Sequence, residues 1–303
     1  TICMNSESGV CILGGSGFVG TQLCLRLLES GAKVKILTRN AARCGHLSSL
    51  EGVTISSIAD YSAASLSQHM QDCDVLINLI GILNEKGNDG SEFHAVHVGI
   101  TRAALTACQN SGVKRLLQMS ALNADVDGPS HYLQSKGEAE NYLLSHAPDD
   151  IAVTIFQPSV IFGNKDSFLN RFAQLLKFIP LVFPLACANA KFAPVYVGDV
   201  VDFMLASLHN PASHGQKYPL CGPKTYTLKE LVEYTSQVSG HYCKVIALPP
   251  LLSKLQAHIF EYIPGKPLSV DNYNSLKLDS ICSHTSPCKT ALEDIAPSYL
   301  AKK

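Results

Sequence analysis

The most constraining feature of this chain is a short glycine turn, Gly14-Gly15-Ser16-Gly17-Phe18-Val19-Gly20. It lies between the apolar run Val10–Leu13 and a stretch of helix formers, Val19–Ser30. The spacing G-x-x-G-x-x-G assigns a physical task to each glycine. Gly14 permits the tight turn, Gly17 lets backbone amides approach a pyrophosphate with no Cβ in the way, and Gly20 lets the helix pack closely on the strand. The helix N-terminus adds unpaired N–H donors and the positive end of a dipole. Gly14, Gly17, Phe18, Val19 and Gly20 are therefore the expected cofactor-binding backbone. The competing reading is a plain glycine-rich turn, and the position of this one between a strand and a helix weighs against it.

Up to residue 160, short apolar runs alternate with helical patterns. Val10–Leu13, Lys33–Thr38, Val53–Ile58, Val75–Ile80, Arg115–Met119 and Ala152–Phe156 read as buried parallel strands, with little polar alternation. Val19–Ser30, Ser62–Gln71, Glu92–Asn110 and His131–His146 read as the helices between them. The expected fold is α/β: a Rossmann, doubly wound parallel sheet over residues 1–160. After Pro158 the pattern loosens and prolines cluster. Helices are expected over Ser167–Lys177, Gly198–Leu208, Leu228–Ser239 and Leu251–Ile263. Short strands are expected near Lys191–Val195, Lys217–Leu220 and Lys244–Ala247. Residues 161–303 read as a smaller C-terminal α/β lobe over the cofactor cleft, with some segments returning to the main sheet.

A net charge of −1 gives no bulk electrostatic case for nucleic acid or an acidic membrane surface. The eleven cysteines are scattered without a C-x-x-C, which reads as buried free thiols in a reducing compartment rather than a disulfide scaffold. Residues 1–9 are polar, unlike a secretory leader, so a cytoplasmic or other reducing compartment is expected. The longest apolar stretch, Phe172–Ala188, contains Lys177, Pro180 and Pro184 and does not read as a membrane span.

Specificity is legible at the end of the second strand. An NAD site places an acid there for the ribose hydroxyls, yet no Asp or Glu lies between Glu29 and Glu51. The strand ends Leu37-Thr38-Arg39-Asn40. Thr38 and Arg39 are the expected 2′-phosphate neighbours, which favours NADPH or NADP over NAD; a solvated arginine is the alternative. Asp60, after the third strand, reads either as an adenine-side residue or as an N-cap for Ser62–Gln71. Tyr132 and Lys136 form Y-x-x-x-K on one helix face, where an ammonium can lower the tyrosine pKa and hold ribose.

The glycine turn, Asn78-Leu79-Ile80-Gly81, Tyr132/Lys136 and Pro158 together resemble an extended or atypical short-chain dehydrogenase/reductase. Further segments narrow this: Ile80-Gly81-Ile82-Leu83-Asn84-Glu85, Met119-Ser120-Ala121-Leu122-Asn123-Ala124, Gln157-Pro158-Ser159-Val160-Ile161-Phe162-Gly163, Pro194–Val200 and Pro264-Gly265-Lys266-Pro267. They resemble the NAD(P)H-binding accessory subunit family of respiratory complex I and its bacterial relatives. The resemblance implies bound NADPH, Leu79, Gly81 and Pro158 as further cofactor neighbours, and a residual Tyr-Lys pair. It also implies a partner in a respiratory complex near its quinone site, with a place at the inner membrane periphery, in the matrix of a eukaryote.

Three functions remain open. The first is such an accessory protein with a structural cofactor. The second is an active NADPH-dependent reductase of a small apolar carbonyl, with Tyr132 as proton donor, Lys136 tuning it and Ser120 orienting the carbonyl. Ser120 precedes Ala121 and Leu122, so it reads alternatively as a cap on the sheet edge. The third is a nucleotide-sugar epimerase or dehydratase, against which stands the lack of any arginine after Arg171. His94-x-x-His97 reads as helix surface rather than a metal site, and no metal is expected. Phe172–Ala188, with Phe178, Ile179, Leu181, Val182 and Phe183, reads as a quinone-like or lipid-like pocket lining, a contact to a membrane complex, or a lobe core.

Overall fold

A computed structural model describes residues 9–179, 181–263 and 266–301. Cys3, Met4, Pro180 and the Pro264-Gly265 pair lie outside the described residues. In chain order the first half forms β1 (Gly9–Leu13), α1 (Phe18–Glu29), β2 (Lys33–Thr38), β3 (Val53–Ser57), α2 (Ala63–His69) and β4 (Val75–Asn78). It continues with α3 (Ile100–Ser111), β5 (Arg115–Met119), α4 (His131–His146) and β6 (Ala152–Pro158). The second half forms α5 (Leu169–Phe178), β7 (Leu181–Leu185), α6 (Val197–Leu208), β8 (Gln216–Leu220), α7 (Leu228–Ser239), β9 (Cys243–Ala247), α8 (Pro250–Phe260) and α9 (Val270–Ser275).

Among the described residues the main sheet has seven strands in the order β8-β6-β5-β4-β1-β2-β3, and every pairing is parallel. The chain leaves β1 in one direction for β2 and β3, then returns to place β4 on the other side of β1. The order therefore reverses at the β1–β4 boundary, the position beyond the strand carboxyl ends where open α/β sheets place their ligands. On one face Leu23 and Leu27 of α1 pack with Val200, Val201 and Met204 of α6; on the other lie Leu66, Leu105, Cys108 and Leu143. Both faces are covered, which is why β1, β4 and β5 are buried from end to end.

The C-terminal half is not a separate layer. After β6 the chain crosses over through α6 and lays β8 parallel to β6, the handed crossover that parallel strands require. The remaining elements build a third core around Leu169, Leu176, Phe183, Leu231, Val232 and Val245, with β7 parallel to β9. The strand expected over Lys191–Val195 divides. Lys191–Phe192 pairs antiparallel with Tyr226–Thr227, and Val195–Tyr196 pairs parallel with Ile161–Phe162. Pro194 sits at the break, where a residue without N–H cannot continue a ladder.

The cysteines need one correction. Eight are free among the described residues, but Cys221 and Cys282 are disulfide-bonded with a Cα–Cα separation of 6.0 Å. The topology returns the chain after α9 to the end of β8, and spacing along the sequence gives no sign of it. Among the described residues no helix is long and apolar enough to cross a membrane.

Candidate functional site

The glycine turn joins β1 to α1 at the topological switch. Gly14 has φ +81°, a conformation that strains any other residue. Gly17 N–H donates to the Gly14 carbonyl at 3.0 Å and closes the turn. A Cβ on Gly20 would lie 2.3 Å from the Gly14 carbonyl oxygen, against fixed backbone. A Cβ on Gly17 would meet only that same oxygen, at 3.2 Å, and Gly17 is exposed. Gly20 is thus required by packing, and Gly17 keeps the approach to the helix end open. α1 has no side-chain cap, and the Thr21 N–H bonds back to the Gly17 carbonyl at 2.9 Å. The amides of Phe18, Val19 and Gly20 precede that first helical bond, as a pyrophosphate cradle requires.

The adenosine end forms where β2 and β3 finish side by side. Thr38 is buried and accepts the Asn40 N–H at 3.1 Å, which fixes the turn that presents Arg39. Arg39 is exposed, and its guanidinium carbon lies 5.0 Å from the Tyr61 ring centroid. The tyrosine face holds the planar cation at the carboxyl edge. Asp60 is exposed and accepts the Ser62 N–H at 2.9 Å; hydrogen bonds from Ser62 hold its carboxyl below the usual carboxylate range. The cap of α2 is Ser62, which accepts from Ser65 N–H, so of the two readings of Asp60 the N-cap one passes to Ser62, two residues along. The reason is local: the aspartate makes its own turn one step before the helix begins.

Leu79 continues the β1–β4 ladder by donating its N–H to Leu13 at 3.0 Å, and a Cβ on Gly14 would touch its backbone. Pro158 ends β6, and its carbonyl accepts from Leu122 N–H at 3.0 Å. At Gly81 a Cβ would stand 3.1 Å from the Lys136 Nζ, so glycine leaves room for that ammonium. The expected cofactor residues therefore share one edge of the sheet.

At the Tyr-Lys end, α4 carries both side chains on one face. Lys136 is 5% exposed and donates to the Met119 carbonyl at 3.3 Å. Burial pushes its pKa down to about 8 against the opposing pull of Glu140. Tyr132 is half-buried beside Phe93 and His97, with ring centroids 5.9 and 5.5 Å away. Burial, then the Asp271 carboxylate, push its phenol up to about 12. Among the described residues its hydroxyl makes no hydrogen bond.

Ser120 is buried, and its hydroxyl donates to Glu140, one helical turn beyond Lys136. Glu140 is 1% exposed and also takes the Gln157 amide at 2.9 Å and the Lys217 ammonium at 3.1 Å. Ser120, Gln157 and Lys217 thus converge on one carboxylate beneath the cleft.

His97 corrects the reading of His94-x-x-His97 as helix surface. His94 is exposed and 3.2 Å from Glu138, but His97 is 2% exposed. A π-helical turn, His94–Gly99, widens the helix and carries His97 inward. Its Nε2 accepts the Ile82 N–H at 3.1 Å, which leaves Nδ1–H to donate to the Ser135 hydroxyl at 2.8 Å. Burial, then the Lys136 charge, press its pKa down to about 2. Among the described residues no group of His, Cys, Asp or Glu is placed to hold a metal. Asp271 of α9 was also missed: its carboxylate accepts the His131 and Tyr132 amides at 2.7 and 3.2 Å, capping α4 from a distant part of the chain. Only the asparagine and aspartate density around residues 271–274 hinted at a cap.

A family profile described as NAD(P)H-binding matches residues 14–172. NADH dehydrogenase [ubiquinone] 1 alpha subcomplex subunit 9, mitochondrial, of Mus musculus is 34% identical over 271 residues, covering 87% of this chain and 70% of the relative. The chain belongs to this NAD(P)H-binding, complex I accessory-subunit family. The family reaches into the wider short-chain dehydrogenase/reductase group. An undecaprenol-linked N-acetylglucosaminyl 4-epimerase of Escherichia coli O157:H7 is 27% identical, covering 92% of the chain and 87% of the relative. The structure of Thermus thermophilus UDP-glucose 4-epimerase in complex with NAD superposes with a TM-score of 0.67 at 19% identity, covering 89% of this chain and 99% of that one. That likeness is one of fold. This chain carries the glycine turn and Y-x-x-x-K, and the Ser120 hydroxyl beside them is bonded to Glu140.

Proposed function

We propose that this protein holds NADPH as a lasting, structural ligand and serves as an accessory subunit of a respiratory complex. The observation that carries this reading is the Ser120 hydroxyl bound to buried Glu140, which also engages Gln157 and Lys217. A serine so committed does not hold a substrate oxygen beside Tyr132, and a phenol raised to about 12 is a weak proton donor at neutral pH.

The residues at the glycine end fit a dinucleotide. Amides of Gly14–Gly20 take the pyrophosphate, Arg39 takes the 2′-phosphate, Thr38 shapes the turn beside it and Asp60 borders the adenine. Lys136 and Tyr132 take the ribose next to the nicotinamide, and Leu79, Gly81 and Pro158 form the walls. When bound, the dinucleotide supplies hydride chemistry; this chain's residues orient it and exclude water.

Docking is supported by exposed apolar side chains in the C-terminal half: Phe178, Leu181, Leu251, Leu255 and Tyr262 are each more than half exposed. A surface of that kind is expected where a protein meets a partner. In a eukaryote we place such a partner on the matrix side of the inner membrane; the Mus musculus relative is named as mitochondrial. The test is release of nucleotide from the purified protein and its identification by mass spectrometry. About one equivalent of NADP(H) is the expected result; NAD alone, or none, overturns the reading.

A further inference from the structure

Residues 266–282 run across the loops that follow β4, β5 and β6. Asn272 donates to the Leu83 carbonyl at 3.1 Å, Asp271 takes the amides of His131 and Tyr132, and Ser275 donates to the Ser130 hydroxyl at 2.8 Å. Further on, the Asp279 carbonyl accepts from Asn123 at 2.9 Å, and the Ser280 carbonyl accepts from the Ser159 hydroxyl at 2.7 Å. α9, at the centre of this strap, has no buried residue. The strap is therefore held mainly by polar bonds, each of small net worth beside water.

Its one covalent tie is at the far end. Cys282 is bonded to Cys221, the residue directly after β8. That anchor is rigid: Leu220 pairs with Pro158, and its carbonyl accepts the Ser159 N–H at 2.9 Å. Cys221 is buried and Cys282 half-buried, so an attacking thiolate meets the Cys282 sulfur first.

We propose that the Cys221–Cys282 disulfide is a redox latch on this strap, and that its reduction frees the strap to lift from the Tyr132 end of the cleft and release the bound dinucleotide. The reductant is a dithiol. Its thiolate attacks Cys282 Sγ, the S–S bond breaks, and the Cys221 thiolate leaves and is protonated. The second thiol of the reductant then displaces Cys282, so two electrons and two protons pass to the protein and the reductant becomes a disulfide. What the strap retains rests on the dinucleotide reading; the latch itself does not.

The experiment uses the full chain as purified, with and without dithiothreitol. It reads amide hydrogen exchange by mass spectrometry and nucleotide loss on dilution. Peptide mapping under non-reducing conditions should show Cys221 linked to Cys282. Reduction should raise exchange in residues 266–282 and at His131 and Tyr132, and should speed nucleotide loss, each roughly tenfold. Cys282→Ser should show the fast values in both conditions, while Cys187→Ser keeps the response of the unaltered protein. Should Cys282→Ser fail to fold, the reduction series on the unaltered protein gives the same readings. Exchange that is equal in both redox states, or thiols that stay unlinked under a mild oxidant, overturns the latch. Exchange that responds in a protein carrying no nucleotide sinks the dinucleotide reading and leaves the latch standing.

Discussion

The two ends of the cleft are made differently. The glycine end is backbone: a +81° turn at Gly14, a position at Gly20 with no space for a Cβ, and the uncapped start of α1. The Tyr132 end is a side-chain network reaching from β5 to β8, with Glu140 taking Ser120, Gln157 and Lys217. Backbone geometry of the first kind binds a pyrophosphate whatever happens elsewhere. A network of the second kind can lose its chemistry through one new partner. Under the function proposed above, the difference teaches how a chain could keep the binding half of an oxidoreductase while the reactive half becomes structure.

The comparison breaks most sharply at Gly20. Gly20→Val forces atoms into the Gly14 carbonyl, and about 3 kcal/mol of stability should be lost, together with bound nucleotide. Denaturant melts and nucleotide content measure this; a stable variant with full nucleotide would show that the turn is less constrained than its geometry implies. Next is Arg39→Glu, which places an acid where NAD sites have one. Affinity for NADPH should fall about 100-fold while NADH affinity changes little, as calorimetry can read. Equal loss of both would assign Arg39 to the fold.

At the other end, Glu140→Gln leaves Lys217 without its charge partner and weakens the Ser120 bond. A loss of about 2 kcal/mol is expected, with nucleotide content unchanged. His97 sharpens the same contrast through pH. Its folded pKa, about 2, lies below the ordinary 6.5. Below pH 6.5 the unfolded chain therefore gains a proton that the folded one refuses. Stability is present above that pH and falls through the window toward pH 2, by up to about 1.4 kcal/mol per unit. His97→Gln should flatten that limb of the curve; an unchanged slope would place the acid sensitivity elsewhere.

Legibility in the sequence divides along the same line. The turn, the missing acid before Arg39 and the helix His131–His146 could be read because each depends on neighbours in sequence. The strand–helix alternation carried the sheet for the same reason. Glu140 was silent: a glutamate on a helix reads as surface until β5, β6 and β8 close over it. His97 was misplaced because a π-turn shifts the helical period by one residue. Asp271 and the Cys221–Cys282 pair come from chain segments that only the finished topology brings near. β7 hid inside an apolar run that continues from α5.

A protein that keeps its dinucleotide without using it can be tested by loading it with NADPH and monitoring the oxidation state of the bound nucleotide over time against a broad set of carbonyl compounds and UDP-sugars. The reduced form should persist as it does in buffer alone, and Tyr132→Phe should leave that persistence unaltered. Oxidation coupled to disappearance of one of those compounds, and abolished in Tyr132→Phe, would contradict the account and restore Tyr132 as a working proton donor.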